Sequence, residues 1–287
     1  MDVILRSLIV GLLLILIFGC GGCVKEVVEP PSGIRDNKVD ISSAVEALQA
    51  HRRGVRALKA SGKLKYIDYY GEKEKEENID AVLRFVPPRR LFFSARSILG
   101  EAVRVGSNPD EFWLHMKPKE ISRYWWGRWS QMKDCPAKLL VSPESMLDAL
   151  GMVKVDRRWL LLSRDEADVL VQFSEDNEYR KKVYVNRAGY LVGKIEYFDK
   201  NGDLAVVMEL GDYTSVEDAE GSPVPGSIAI TSYEAGNVVR KAVIRLKNIK
   251  SLDSYKDKLF ERPPATQFEH VYVLGDDCQF LEQAVSE

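Results

Sequence analysis

Two cysteines near the amino terminus, Cys20 and Cys23, stand three positions apart, a spacing that can bind a metal ion or exchange disulfides. A zinc site built on such a pair needs a second pair of ligands at similar spacing. The other two cysteines, Cys135 and Cys278, are isolated, and the three histidines are scattered along the chain. The sequence therefore predicts no metal site and no bound cofactor.

The residues before the cysteines indicate covalent lipid attachment instead. Leu8 to Phe18 is an apolar run broken only by Gly11. Spanning a bilayer takes roughly 20 apolar residues, so this run is closer to a signal-peptide core, although an uncleaved membrane anchor remains an alternative. The stretch Ile17 to Cys20 (IFGC) resembles a bacterial lipobox, whose cysteine becomes the acylated amino terminus. The resemblance implies a lipoprotein signal peptide over 1–19 and a lipid anchor such as palmitate on Cys20. The prolines, the glycine and the mixed charge that follow, without clear periodicity, indicate a flexible tether over 20–38.

Composition limits the classes of function. The chain has 287 residues, 45% of them hydrophobic, which is enough for a sizeable core. Its net charge of −2 and interspersed charges argue against a nucleic-acid partner, which would need a basic patch. The densest charge run, Gly71 to Asn78 (GEKEKEEN), is expected to be a solvated loop.

Hydrophobic periodicity predicts a mainly β domain over residues 39–287. Apolar residues at three- and four-residue spacing from Ile41 to Leu58 indicate an amphipathic helix that Gly62 closes. Six short strands with turn residues between them follow, up to Trp129, and Ser142 to Gly151 carries helix signals at both ends. Seven further strands come next, with Asn201-Gly202 as a hairpin turn.

The order of these parts resembles the LolA/LolB-like fold of lipoprotein carriers and receptors. The resemblance runs from Val39 to Pro264 through the first helix and strand (ISSAVEALQAHRRGVRALKASGKLKY), the helix that interrupts the strands (SPESMLDALG) and a late hairpin (YLVGKIEYFDKNGDLAVVMELGDY). It implies one incomplete antiparallel β-barrel of about 11–13 strands, with helices covering the open side. It also implies that the open side binds acyl chains of a lipid or lipoprotein, or another hydrophobic ligand.

Two details bear on what the resemblance transfers. The receptor of this family uses a protruding leucine, but the candidate loop from Gly106 to Trp113 has only polar residues at its tip. The resemblance therefore implies the fold and ligand class more than a delivery step. Gly21, where aspartate would favour inner-membrane retention, favours an outer-membrane location facing the periplasm. A non-catalytic sensor or scaffold that binds an envelope protein is the alternative function.

Candidate site residues follow from the strand faces. Residues on apolar strand faces could line a ligand cavity or form a solid core: Leu64, Leu83, Phe85, Phe93 and Leu114. In RYWWGRW, strand alternation places Trp125 and Trp129 on one face and Trp126 on the other, and these indoles could reach the barrel mouth or a membrane surface.

Cys135 and Cys278, the two cysteines outside the amino-terminal segment, could be oxidised or reduced. An exported compartment permits oxidation, so a disulfide between Cys135 and Cys278 is possible, and two buried free thiols are the alternative.

The chain has no Gly-x-Ser-x-Gly elbow, no His-Glu-x-x-His and no phosphate-binding loop. His115 stands in the middle of a predicted strand between Leu114 and Met116, where a structural role is usual. We therefore expect no catalytic residues and a protein that is not an enzyme.

Overall fold

The structure is a computed structural model that describes residues 41–70, 73–97, 100–117, 122–134, 143–163, 167–173, 178–187, 189–276 and 278–283. The predicted signal peptide, tether and anchor Cys20, together with Cys23 and Cys135, lie outside the described residues. Residues Lys38–Glu287 form one compact unit. In the described part of this unit, every helix is too short or too polar to cross a bilayer.

The described elements are mostly strands. There are two α-helices, α1 (Ile41–Gly54) and α2 (Pro143–Asp148), and three short 3-10 turns, at Gln131–Asp134, Asp257–Phe260 and Ala265–Gln267. The strands are β1 (Leu58–Tyr70), β2 (Lys73–Val86), β3 (Arg90–Ser97), β4 (Gly100–Ser107), β5 (Glu111–Met116), β6 (Arg123–Arg128), β7 (Leu160–Ser163), β8 (Ala167–Phe173), β9 (Tyr179–Asn186), β10 (Leu191–Phe198), β11 (Leu204–Thr214), β12 (Val224–Glu234), β13 (Asn237–Ser251), β14 (His270–Leu274) and β15 (Phe280–Gln283).

All fifteen described strands belong to one open sheet, in the order β15-β14-β6-β5-β4-β3-β2-β1-β13-β12-β11-β10-β9-β8-β7. The sheet consists of two meanders, β1–β6 and β7–β13, which pairing between β1 and β13 joins. The predicted mainly β fold with one unclosed sheet is confirmed. The strand count differs, because β14 and β15 add to the thirteen predicted strands, and β14 pairs with β6 in parallel whereas every other pairing is antiparallel.

One face of the sheet, here called the inner face, holds the main core and both helices. Ala44, Val45 and Leu48 of α1 are buried in the same cluster as Met146 and Leu147 of α2. Side chains from both meanders complete the cluster, so the helices are held by apolar burial against the sheet. The opposite, outer face carries the alternate residues of each strand.

Two boundaries differ from the sequence prediction. Helix α1 ends at Gly54, and Gly62 lies inside β1, where it pairs with Leu246 and Ala81. The sequence predicts too long a helix because apolar residues keep the same spacing beyond Gly54. Val55 and Leu58 are buried in the same core as the helix, but the backbone is already extended there. The expected loop at 71–78 is wrong for residues 73–78, which belong to β2; there Glu76 forms an ion pair of 2.7 Å with Lys65 across the hairpin.

Residues 252–269 cross the outer face from β13 to β14, and we call them the carboxyl-terminal strap. The strap is attached at successive strands, first where Asp257 contacts Arg90 of β3 at 2.9 Å. Further along, the Phe260 carbonyl accepts a hydrogen bond from Asn108 at 3.3 Å. At its end Phe268 stacks on Tyr124 of β6, with ring centroids 4.2 Å apart. The strap thereby covers a second, smaller apolar cluster on the outer face.

Gly62 provides a test of the pairing that joins the meanders. A Cβ at this position would overlap the backbone carbonyl of Arg245 on β13, and a backbone atom cannot rotate away. We expect Gly62→Ala to lower the free energy of unfolding by about 1–3 kcal/mol, measured by chemical denaturation. Gly193→Ala on β10 is the control, because a Cβ there meets nothing within 4 Å. Equal stability of the two variants would contradict the close approach of β1 and β13.

Candidate functional site

A cleft on the described surface has a volume of about 980 Å³. It lies between α2, the last turn of α1 and the turn that joins β4 to β5. Asn108 shapes this turn, since its side-chain oxygen accepts hydrogen bonds from the backbone N–H groups of Asp110 and Glu111 at 2.9 and 2.8 Å. The lining residues are Arg52, Arg89, Asn108, Pro109, Asp110, Glu111, Arg128, Trp129, Ser130, Met132, Glu144, Leu147, Asp148, Met152 and Lys154.

The cleft has a surplus of unpaired positive charge. Four of its lining residues are basic and four are acidic. Two of the acids are engaged, because Glu111 binds Arg262 at 3.2 Å and Asp148 binds the buried Lys181. Within the described residues, Arg52, Arg128 and Lys154 form no ion pair. The cleft can therefore accept an anionic group.

Trp129 forms an aromatic wall of the cleft. Its indole N–H donates a hydrogen bond to the Asn108 carbonyl at 2.8 Å, and its ring packs edge-on against Phe112. The Arg89 guanidinium lies 4.7 Å from the centre of the same ring. This places a cation and an apolar surface side by side, which suits a ligand that is partly charged and partly apolar.

A buried polar group of three residues lies at the base of the cleft. Asp148, at the end of α2, is 1% exposed, and its carboxylate accepts hydrogen bonds from Lys181 of β9 and, at 2.5 Å, from Tyr197 of β10. Burial and the negative charge of Asp148 raise the pKa of Tyr197 well above its usual value. The charge of Asp148 is stable when buried only if Lys181 and Tyr197 stay beside it. Because these partners lie on β9 and β10, the group holds the end of α2 against the second meander.

The predicted cavity residues lie elsewhere. Four of them, Leu64, Leu83, Phe85 and Phe93, are buried in the main core, and Leu114 is partly buried against it. None of the five lines the cleft. They lie on the inner face beneath the helices, so a ligand would contact them only if the helices moved away from the sheet.

The three tryptophans are separated as strand alternation predicts, but only Trp129 reaches the cleft. Trp125 stacks on Tyr272 of β14, with ring centroids 5.5 Å apart. Trp126 lies on the other face in the cluster under the strap, and the Arg262 guanidinium is 3.8 Å from its ring centre. The strap and the carboxyl-terminal strands therefore cover indoles that the sequence alone would leave facing solvent.

One cluster on the outer face has the residue types of a hydrolase triad. The Ser122 hydroxyl lies 3.0 Å from Nε2 of His115, and Nδ1 of His115 lies 3.8 Å from Glu101. A hydrolase also needs N–H donors beside the nucleophile to stabilise an oxyanion. Here the N–H of Ser122 donates to the carboxylate of Glu269 at 3.2 Å, so a negative charge occupies that position. We interpret the cluster as structural.

Cys278 is disulfide-bonded. The turn at Gln131–Asp134, just before Cys135, lies beside it, because the Gln131 side chain donates to the Leu274 carbonyl at 3.0 Å. Cys135 lies outside the described residues, and its pairing with Cys278 stays a prediction.

Sequence reasoning missed the polar residues of the cleft and its base, although two signals were present. Lys181 alternates with Val183 and Val185 and therefore shares their buried face. Asp148 interrupts an apolar run in the predicted second helix. A lysine and an aspartate that both point into a core indicate a buried ion pair. The cations of the cleft leave no such pattern in the sequence, since they come from separate segments at the end of a helix, in a turn, at the end of a strand and after α2.

The buried pair gives a prediction about stability. Asp148→Asn leaves the Lys181 charge buried without its partner, so we expect the free energy of unfolding to fall by about 3–5 kcal/mol in chemical denaturation. A triple variant with Asp148→Leu, Lys181→Met and Tyr197→Phe removes every polar group together and should recover most of the loss. Arg157→Ala, which breaks an exposed pair with Glu46, should change stability little. A small effect of Asp148→Asn would contradict the buried pair.

Glu101 gives a prediction about pH. Burial opposes its ionisation, but the His115 imidazole, the Ser94 hydroxyl and the Arg104 guanidinium outweigh burial and lower its pKa from 4.5 to about 2. A lowered carboxyl pKa stabilises the fold above pH 4.5, and this contribution is lost as pH falls towards 2. Over that window, unfolding free energy should fall by about 2 kcal/mol more in the unmodified chain than in Glu101→Gln, after discounting for solvent screening.

The control for this measurement is Glu209→Gln, an exposed carboxylate on β11. Its pH profile should follow that of the unmodified chain. Matching profiles for Glu101→Gln and Glu209→Gln would contradict the role of Glu101.

Comparison with known proteins finds no matching family model and no matching curated protein. Solved structures do match. A LolA superfamily protein from Nitrosomonas europaea is 13% identical, with 77% of this chain and 97% of that chain covered and a TM-score of 0.47. A putative outer membrane lipoprotein-sorting protein domain from Vibrio parahaemolyticus is 14% identical, with 77% and 94% covered and a TM-score of 0.47. A DUF1329 family protein from Desulfovibrio piger is 12% identical, with 77% and 97% covered and a TM-score of 0.49. The matches thus include the LolA group that the order of elements in this sequence resembles.

Proposed function

We propose that this chain is a non-catalytic cell-envelope protein that binds an amphiphile, an acyl chain of a lipid or lipoprotein together with its anionic head group, in the cleft beside α2. The observation that carries the proposal is the lining of the cleft, which combines unpaired cations with apolar side chains. Its volume of about 980 Å³ suits a ligand of this size.

The position of the cleft above the core supports an acyl-chain ligand. Leu147 lines the cleft and is also part of the main core, as is Met152 on the segment after α2. Methionine side chains adapt to ligands of irregular shape because they are unbranched and flexible. If α2 moved away from the sheet, a chain that entered between these two residues would reach the inner face, where the predicted cavity residues lie. Arg52 and Lys154 would then bind the anionic group at the surface.

The location that we propose follows from the amino terminus. The lipobox-like stretch ending at Cys20 supports a lipid-anchored protein, and Gly21 supports the outer membrane. Two of the solved structures that match are described as a LolA superfamily protein and a lipoprotein-sorting domain, which agrees with an envelope location and a hydrophobic ligand. A part in moving lipid or lipoprotein to the outer membrane is the finer form of the proposal.

A sensor or scaffold that binds an envelope protein is the second candidate, and the open edge of the sheet favours it. The edge strand β7 has the sequence LLLS, and Leu160 is 47% exposed. An edge strand with free N–H and C=O groups can pair with an extended segment of another protein.

The ligand can be tested with residues Lys38–Glu287, whose described elements share one core and are expected to fold without the amino-terminal segment. Binding of a fluorescent fatty acid would be titrated for the unmodified fragment and for Arg52→Ala with Lys154→Ala. Losing a charge-assisted hydrogen bond costs about 1.5 kcal/mol, so we expect affinity to fall by at least about tenfold.

Arg53→Ala with Lys200→Ala is the matched control, because it removes two exposed cations that do not line the cleft. The control should bind the fatty acid as the unmodified fragment does, and thermal melting should show that all variants are folded. The amphiphile site would be contradicted if the unmodified fragment did not bind the fatty acid, or if both double variants lost affinity equally.

A further inference from the structure

The outer face of the central strands is basic, away from the cleft. Lys59 of β1 is directly opposite Arg84 of β2 on one side and Lys250 of β13 on the other. Two positions along β1, Ser61 is opposite Lys247. Residues directly opposite each other in antiparallel strands share a face, and like charges there repel. Three neighbouring strands thus carry a row of cations that costs the fold some stability.

Only part of this charge is neutralised. Lys250 pairs with Glu217 at 2.9 Å, and Asp80 of β2 is engaged by Lys63. The remaining cations on or beside this surface form no ion pair with any described residue, and we call them the outer basic patch: Lys59, Arg84, Arg245, Lys247, Lys256 and Lys258.

A hollow of about 720 Å³ lies within this patch, between β2 and the strap. Arg84 forms one wall, and the strap residues Tyr255, Lys256 and Lys258 form another. Tyr255 is 40% exposed, and Val82, two residues before Arg84 on the same face, is 38% exposed. The surface therefore combines free cations with exposed apolar and aromatic groups.

The strap carries four acids, Asp253, Asp257, Glu261 and Glu269, and among the described residues none of them forms an ion pair with a cation of the patch. Asp257 binds Arg90 at 2.9 Å, and Asp253 accepts a hydrogen bond from the Ser251 hydroxyl at 2.7 Å. The strap therefore presents its two lysines outward while one carboxylate is tied to the sheet. The residues that line the hollow include three cations and no acid, although the whole chain carries a net charge of −2.

We infer that the outer basic patch binds the anionic phospholipid surface of a membrane. Lysine presents a mobile point charge that follows phosphate groups at different depths, whereas bidentate recognition of carboxylates on a protein favours arginine. A tyrosine at the rim places its ring and hydroxyl at the boundary between apolar and wet layers, as interfacial aromatic residues do. Charge complementarity and the exposed Tyr255 and Val82 together match such a surface.

The test uses residues Lys38–Glu287, so that the predicted anchor at Cys20 does not contribute. Sedimentation with vesicles of phosphatidylcholine alone is compared with vesicles that also contain phosphatidylglycerol, at low and at high salt. We expect binding only to the anionic vesicles, with loss of binding at high salt. Lys256→Ala with Lys258→Ala should weaken partitioning by at least about tenfold, since each lysine near an anionic surface contributes several-fold.

The control is again Arg53→Ala with Lys200→Ala, which removes the same charge from exposed positions outside the patch. It should bind anionic vesicles within about twofold of the unmodified fragment, because attraction falls off within a Debye length. Thermal melting of each variant separates lost binding from lost folding. Equal binding to neutral vesicles, equal loss in both double variants, or no vesicle binding at all would overturn the inference, and the last result would leave an acidic protein as the occupant.

Discussion

The pairing of β1 with β13 is the interaction on which the rest of the structure depends. It brings residues 58–68 beside residues 240–251 and joins two meanders that would otherwise be separate sheets. Both helices then have one continuous inner face to pack on, and side chains from α1, α2 and both meanders share one core. Gly62 allows the two backbones to approach at the middle of this pairing.

The candidate cleft exists because of how α2 is held. This helix has only six residues, too few to be stable alone, and a buried charge fixes its end to β9 and β10. A buried ion pair contributes little net stability compared with apolar packing, but it specifies one arrangement of the elements around it. The helix, the β4–β5 turn and the end of β6 are thereby positioned around a space with both charged and apolar walls.

The two faces of the sheet are divided between two kinds of surface. The inner face is covered by helices and carries the cleft at its margin. The outer face is covered by the strap only in part, and the cations of β1, β2 and β13 stay exposed or half-exposed to solvent. With both proposed sites, the protein would bind an amphiphile at the margin of the inner face and a membrane surface with the outer face of the same sheet.

The sequence by itself determined the local elements and the class of fold. Alternating apolar residues gave thirteen of the strands, Asn201-Gly202 gave the β10–β11 turn, and Ser142 to Gly151 gave α2. These elements are predictable from sequence because strand alternation, turn conformation and helix ends depend on neighbouring residues. Where apolar spacing continued into another element, as between Gly54 and Leu58, the same reasoning placed the helix end too late.

Only the tertiary structure decided which side chains meet. Arg52, Trp129 and Lys154 come from three distant segments, and no local sequence pattern indicates that they line the same cleft. The partner of Lys181 is 33 residues away, and the strap covers Trp126 from beyond residue 260. Such contacts depend on long-range strand order, which hydrophobic patterning does not encode because any strand with the same alternation satisfies it equally well. The sequence therefore specified a mainly β chain, and the order of strands in its single sheet created the cleft and the basic outer face.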